Sequence, residues 1–84
     1  MLPDREAIRN AARAAALELT GKSIKDSQKL VSSGLIDSLA VLKLISMLEK
    51  KLNIVIPPET LQPEDFDDVE VILETIERVG KEGK

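Results

Sequence analysis

One serine in this chain lies where reactive chemistry and local geometry coincide. In the run Gly34-Leu35-Ile36-Asp37-Ser38-Leu39, Ser38 falls at the point where a loop becomes an apolar-periodic helix. The start of a helix carries unpaired N–H groups and a partial positive charge, so an anion is stabilised there. A phosphodiester on the Ser38 hydroxyl would sit well. Asp37, immediately before it, is a good N-cap, because its carboxylate can accept from N–H groups one turn further on. The competing account is a plain helix-start serine that is never modified, since serine is common at such positions.

Composition narrows what that hydroxyl can do. The chain has 84 residues, no Cys and no His. It therefore lacks a thiolate nucleophile, a disulfide framework and the usual base of a serine hydrolase, along with the commonest metal ligands. A Ser–Lys pair using Lys43 is chemically conceivable, but so short a chain leaves little room for a substrate cleft around it. The protein is expected not to be an enzyme. With no Trp, no Tyr and a single Phe, it lacks the stacking residues of single-strand nucleic-acid binders, and a net charge of -3 disfavours polyphosphate partners. No apolar run is long enough to span a bilayer, and Met1-Leu2-Pro3-Asp4-Arg5-Glu6 lacks the apolar core of a signal peptide. These features predict a single cytoplasmic domain over residues 1–84, with no nucleic-acid partner and no membrane insertion.

Three helices and one short turn must position Ser38. The first helix is predicted from Pro3 to Leu19. Pro suits a first helical position, Asp4 and Glu6 suit the positive end, and Ile8, Ala12, Ala15 and Leu19 form one inward stripe. Gly21 is placed to close it in a left-handed conformation. Within the long connection over residues 22–37, Leu30, Val31, Leu35 and Ile36 predict a path across the core. The second helix is predicted from Ser38 to Leu52. Leu39, Leu42, Ile45, Leu48 and Leu52 are expected to face inwards with Leu44 beside them, and Val41 and Met47 to sit partly exposed at the shoulder.

Asn53 to Pro58 reads as extended chain, with Ile54 and Ile56 pointing one way. A short helical turn fits within Thr60 to Phe66, opened by Pro63 and anchored by Phe66. The last helix is predicted from Asp68 to Val79, opened by a capping-box-like pair of Asp67 and Glu70, with Val69, Ile72, Leu73, Ile76 and Val79 inside. Residues 80–84 read as a frayed polar tail. The expected fold is all-α: a small bundle of three main helices plus one short helix, with a long loop between the first two. Arg5, Arg9 and Arg13 form a stripe that is either a strip for an acidic partner or, more simply, a solvated face paired with nearby carboxylates. Asp65, Asp67, Asp68 and Glu70 lack the spacing of a calcium loop and suit helix capping, so no metal is expected.

Gly34-Leu35-Ile36-Asp37-Ser38-Leu39, the apolar helix after it, and Ile54-Val55-Ile56-Pro57 together resemble the carrier-protein family, which includes acyl, peptidyl and D-alanyl carrier proteins. The resemblance runs from about Leu30 to Val79, with a compatible first helix. It implies an acyl-carrier-protein-like bundle in which Ser38 receives 4′-phosphopantetheine from coenzyme A, attached by a separate Mg²⁺-using phosphopantetheinyl transferase. The thiol ending that arm would hold an acyl or aminoacyl group as a thioester, so a chain without Cys imports its sulfur.

The same resemblance implies that Asp37 caps the helix and presents Ser38. Leu39 would contribute to the surface that partner enzymes grip, and Val41, Lys43 and Met47 are the further partner-facing candidates. Implied partners are an adenylate-forming acyl or aminoacyl ligase that loads the arm and a downstream acyltransferase or synthase that unloads it, in fatty acid or specialised metabolite biosynthesis. A cleft for the cargo between the second helix and the short helix is also a family expectation. Carriers of bacterial fatty acid synthesis resemble one another in a strongly acidic second helix. Here that stretch carries Ala40, Val41, Lys43, Met47, Lys50 and Lys51, which is more similar to stand-alone carriers of activated amino acids or specialised acyl groups. The chain is thus expected to be a monomeric, stand-alone carrier; the alternative is an unmodified helical protein-interaction module of the same fold.

Overall fold

The computed structural model describes residues 2–59 and 61–83. Met1, Thr60 and Lys84, placed above in the N-terminal segment, the short turn and the polar tail, lie outside the described residues. Helix α1 spans Arg5–Thr20. It starts two residues later than predicted because Asp4 is its extended N-cap, accepting the Ala7 N–H at 2.8 Å. Gly21 closes it at φ 71°, donating its N–H to the Leu17 carbonyl at 2.8 Å. Ile8, Ala11, Ala12, Ala15 and Ala16 are buried. The small side chains of the four alanines let α1 lie close against two further helices.

Helix α2 spans Ser38–Leu52, the predicted bounds, and ends at Asn53 in a left-handed conformation. Its inward face differs from the prediction: Val41, Leu44 and Leu48 are buried, whereas Leu39 and Leu42 are 72% and 62% exposed. The extended segment after it contributes strand β1, Ile54–Val55. A 3-10 helix covers Pro63–Phe66, with Pro63 at its start and Phe66 fully buried. Helix α3 spans Val69–Val79 and buries Val69, Ile72, Leu73 and Ile76.

Residues 81–83 are ordered against the extended segment rather than free. Lys81–Glu82 forms strand β2, antiparallel to β1, with Ile54 opposite Glu82 and Val55 opposite Lys81. Gly83 continues the contact, donating its N–H to the Asn53 carbonyl at 3.0 Å. A Cβ at Gly83 would lie 2.5 Å from that oxygen, so only glycine permits the approach. The helical bundle therefore carries a small two-stranded ribbon. Among the described residues no helix is long and apolar enough to cross a membrane.

Asp67 is not the cap of α3. Asp68 takes that position and accepts the Val71 N–H at 2.8 Å. Asp67 instead faces the 22–37 connection. Its Oδ1 accepts the N–H groups of Leu30, Val31 and Ser32 at 3.2, 2.8 and 2.9 Å, and its Oδ2 accepts the Ser32 hydroxyl at 2.8 Å. The connection is thereby drawn over the core, where Leu30 and Ile36 are buried as expected. Burial would push the Asp67 carboxyl up, but the bonds from Ser32, Val31 and Leu30 outweigh it and hold the group below the usual carboxylate range.

The arginine stripe is paired with carboxylates. Arg9 forks onto Glu70 at 2.8 and 3.0 Å, tying α1 to α3, and Arg13 forks onto Asp26 at 2.7 and 2.6 Å, tying α1 to the connection. Burying one Leu, Ile or Phe side chain is worth about 1.5–3 kcal/mol, whereas an exposed ion pair is worth about 0–1 kcal/mol. The apolar core therefore holds the bundle together, and the ion pairs refine how its parts meet.

Asp67→Ala removes the side-chain acceptor of the Val31 and Ser32 N–H groups and the Ser32 hydroxyl, while Leu30 keeps its bond to the residue-67 carbonyl, and is expected to lower unfolding free energy by about 2–3 kcal/mol at pH 7. The folded-state pKa of Asp67 lies below its unfolded value of about 3.9, so its stabilisation is complete above that value and lost as pH falls through the folded value. Urea denaturation followed by circular dichroism should show the gap between wild type and variant shrinking below about pH 4.

Candidate functional site

Ser38 is the first residue of α2, with Asp37 as the extended N-cap. The Asp37 carboxylate accepts the Ala40 N–H at 2.8 Å, and the Asp37 carbonyl accepts the Val41 N–H at 3.0 Å. Capping is therefore done without the serine. Ser38 is exposed, and among the described residues its hydroxyl makes no hydrogen bond. Ser38 lies one residue past the capping position, so its oxygen is not needed to cap the helix. Its side chain is exposed beside the positive end of a 15-residue helix and borders the cleft between α2 and the segment leading into the 3-10 helix.

The approach to Ser38 is fixed from the N-terminal side. Gly34 turns the chain at φ 84°, a conformation costly for other residues, and donates to the Val31 carbonyl at 3.0 Å. Ile36 then donates to the Leu30 carbonyl at 3.0 Å while burying its side chain. Asp37 and Ser38 thus emerge from a loop anchored at Leu30–Ser32 by Asp67 and at Ile36 by the core.

A cleft of about 280 Å³ opens beside Ser38, between α2 and the segment leading into the 3-10 helix. Its walls include Leu39, Leu42 and Ile45 from α2 and Leu61, Pro63 and Phe66 from the facing side. The lining is almost wholly hydrocarbon, so the cleft suits an apolar chain better than a charged one. This matches the cleft expected between the second helix and the short helix.

Of the other site candidates, Leu39 and Lys43 stand exposed on α2, and Met47 is half-buried. Val41 is 4% exposed and belongs to the core and the cleft wall, which corrects its assignment to a partner-facing surface. Leu42, expected inside, is the residue that replaces it outside. Lys43 and Lys50, seven residues apart on one stripe, mark the solvent side of α2, and their position gives the helix's true orientation.

A family profile described as phosphopantetheine attachment site matches residues 6–78. The chain belongs to that family. The match spans α1, α2, the 3-10 helix and nearly all of α3, so it covers the fold as well as the serine. The prosthetic group of this family is covalently attached 4′-phosphopantetheine, and its domains are typically carriers rather than catalysts. Comparisons with curated proteins and with solved structures gave no significant match. The residues around Ser38 fit the group: a free hydroxyl for the ester, a helix N-terminus for its phosphate and an apolar cleft within reach.

Because the Ser38 hydroxyl has no partner, Ser38→Ala should change unfolding free energy by less than about 0.5 kcal/mol. Asp37→Ala removes the cap and should lose about 1 kcal/mol. Paired urea titrations of the two unmodified variants check the contrast; equal losses would mean that the serine oxygen contributes to the cap.

Proposed function

We propose that this chain is a carrier that holds an acyl or aminoacyl group as a thioester on 4′-phosphopantetheine attached to the Ser38 oxygen. The observation that supports it most is the division of labour at the start of α2, where Asp37 caps and leaves Ser38 exposed and unpartnered. The bound group supplies a long arm and a terminal thiol, which the chain itself lacks. The arm keeps cargo at high local concentration around each partner site.

The chain's own residues then have limited tasks. Ser38 provides an oxygen. With no His or Cys in the chain, the base that activates that oxygen belongs to a phosphopantetheinyl transferase. The first turn of α2 offsets the charge of the phosphodiester, and Asp37 holds that turn in place. The apolar cleft beside Ser38 shelters the hydrocarbon part of a cargo from water. An adenylate-forming acyl or aminoacyl ligase loads the arm and an acyltransferase or synthase unloads it, with the carrier acting as a cytoplasmic monomer that performs no chemistry of its own.

Incubation of the purified protein with coenzyme A, Mg²⁺ and a broad-specificity phosphopantetheinyl transferase should add the mass of one phosphopantetheinyl group. Ser38→Ala should add none. An unchanged mass under conditions that fully modify a control carrier would contradict the proposal and leave an unmodified interaction module of the same fold.

A further inference from the structure

The two facing walls of the cleft share one hinge. Leu39, Leu42 and Ile45 line the cleft from α2, and Pro58, Leu61 and Pro63 line it from the chain beyond. Between the walls the chain changes direction at Asn53, which closes α2 at φ 51° and is the one residue other than glycine in the left-handed region among the described residues. Asparagine visits that conformation at lower cost than most side chains, so a turn built on it is a place where the chain can pivot.

Three ties hold this hinge, and two come from the C-terminal segment. Gly83 lies directly on it: its N–H donates to the Asn53 carbonyl at 3.0 Å, and a Cβ at Gly83 would stand 2.8 Å from the Asn53 side-chain oxygen. Strand β2 pairs with Ile54 and Val55, the first residues past the turn. The third tie is Glu49, whose carboxylate accepts the Ile56 N–H at 2.9 Å. Further along, the Leu61 N–H donates to the Pro58 carbonyl at 3.2 Å, a bond that shapes the far wall without fastening it to α2.

The ribbon is far less firmly built than the helices it joins. The helices are anchored by fully buried side chains, among them Leu44, Leu48, Ile72 and Ile76. Strands β1 and β2 are two residues long each, Val55 is half-exposed, and Lys81 and Glu82 are exposed. Two-stranded ribbons of this kind are marginal in water, so this one opens at a lower free energy than the bundle unfolds.

We infer that β2 and Gly83 form a strap that sets the aperture of the cleft. Closed over residues 53–55, the strap holds the far wall at its distance from α2. Released, it lets that wall swing about Asn53 while the helices stay packed. The strap acts on the cleft whether or not Ser38 carries a prosthetic group, so it stands apart from the carrier reading. On a loaded carrier it would govern how readily the apolar part of a cargo enters and leaves the cleft.

The chain has no Cys, so nitroxide labels on Lys43→Cys and Glu59→Cys, both at exposed positions, report the distance across the cleft without competing thiols. Double electron–electron resonance is recorded on the whole unmodified protein and on two strap variants. One variant ends at Gly80, which keeps the Gly80 N–H bond to Ile76 that closes α3. The other is Gly83→Val, which keeps full length but sets a side chain against the Asn53 carbonyl. In both variants the distance distribution should broaden roughly twofold or more. A control pair on α1 and α3, Asn10→Cys and Glu74→Cys, should keep its distribution.

Distributions across the cleft that superimpose on wild type in both variants would overturn the strap and leave the carrier reading untouched. Equal broadening of the control pair would overturn it too, because the C-terminal segment would then be holding the whole bundle and not the cleft wall.

Discussion

One carboxylate, Asp67, satisfies three consecutive backbone N–H groups and a hydroxyl in a connection otherwise held by a few apolar side chains. Successive N–H groups turned to one side form a concave site for an anion, and here the anion comes from the segment just ahead of α3. The same residue's carbonyl accepts the Leu30 N–H at 2.6 Å, so main chain and side chain both grip the loop. A connection of this length between two helices would otherwise wander over many conformations. Pinned at Leu30–Ser32 and again at Ile36, it delivers Asp37 and Ser38 to the start of α2 in one arrangement. The Ser38 side chain is left exposed at that helix start.

Helix α2 then serves three directions at once. Its buried side, Val41, Leu44 and Leu48, joins α1 and α3 in the core. Its first turn presents a positive end beside Ser38. Its outer side exposes Leu39, Leu42, Lys43 and Lys50 to solvent. A helix apolar around most of its circumference is normally fully buried. This one is covered on one side only, which leaves both the cleft and the exposed leucines beside Ser38.

Much of this was legible in the sequence, and the misses have physical causes. The bounds of α2 could be read because Asp37 is a strong cap and the helical spacing of apolar residues stops at Leu52, whereas the left-handed Asn53 that closes the helix reads from sequence as the start of extended chain. The burial of Leu30 and Ile36 followed from apolar residues in an otherwise polar loop. The rotation of α2 did not, because leucines recur at two helical phases and only Lys43 and Lys50 distinguish them. Adjacent Asp67 and Asp68 are equally good caps on paper, and the choice was made by Asp67 finding backbone donors more than thirty residues away. Strand β2 was hidden because Lys81 and Glu82 have no strand preference. Its one signal was Gly83, which permits the close approach to Asn53.

A chain without thiol or imidazole that belongs to the phosphopantetheine attachment family is well matched to borrowed chemistry. Under the function proposed above, its contribution is a helical base and the Ser38 oxygen. The most direct test is top-down mass spectrometry of the protein isolated from its own cells, with fragmentation that localises any added group. The account predicts a phosphopantetheinyl ester on the Ser38 oxygen in the functional protein. A functional population bare at that oxygen, or carrying the group on another residue, would contradict it.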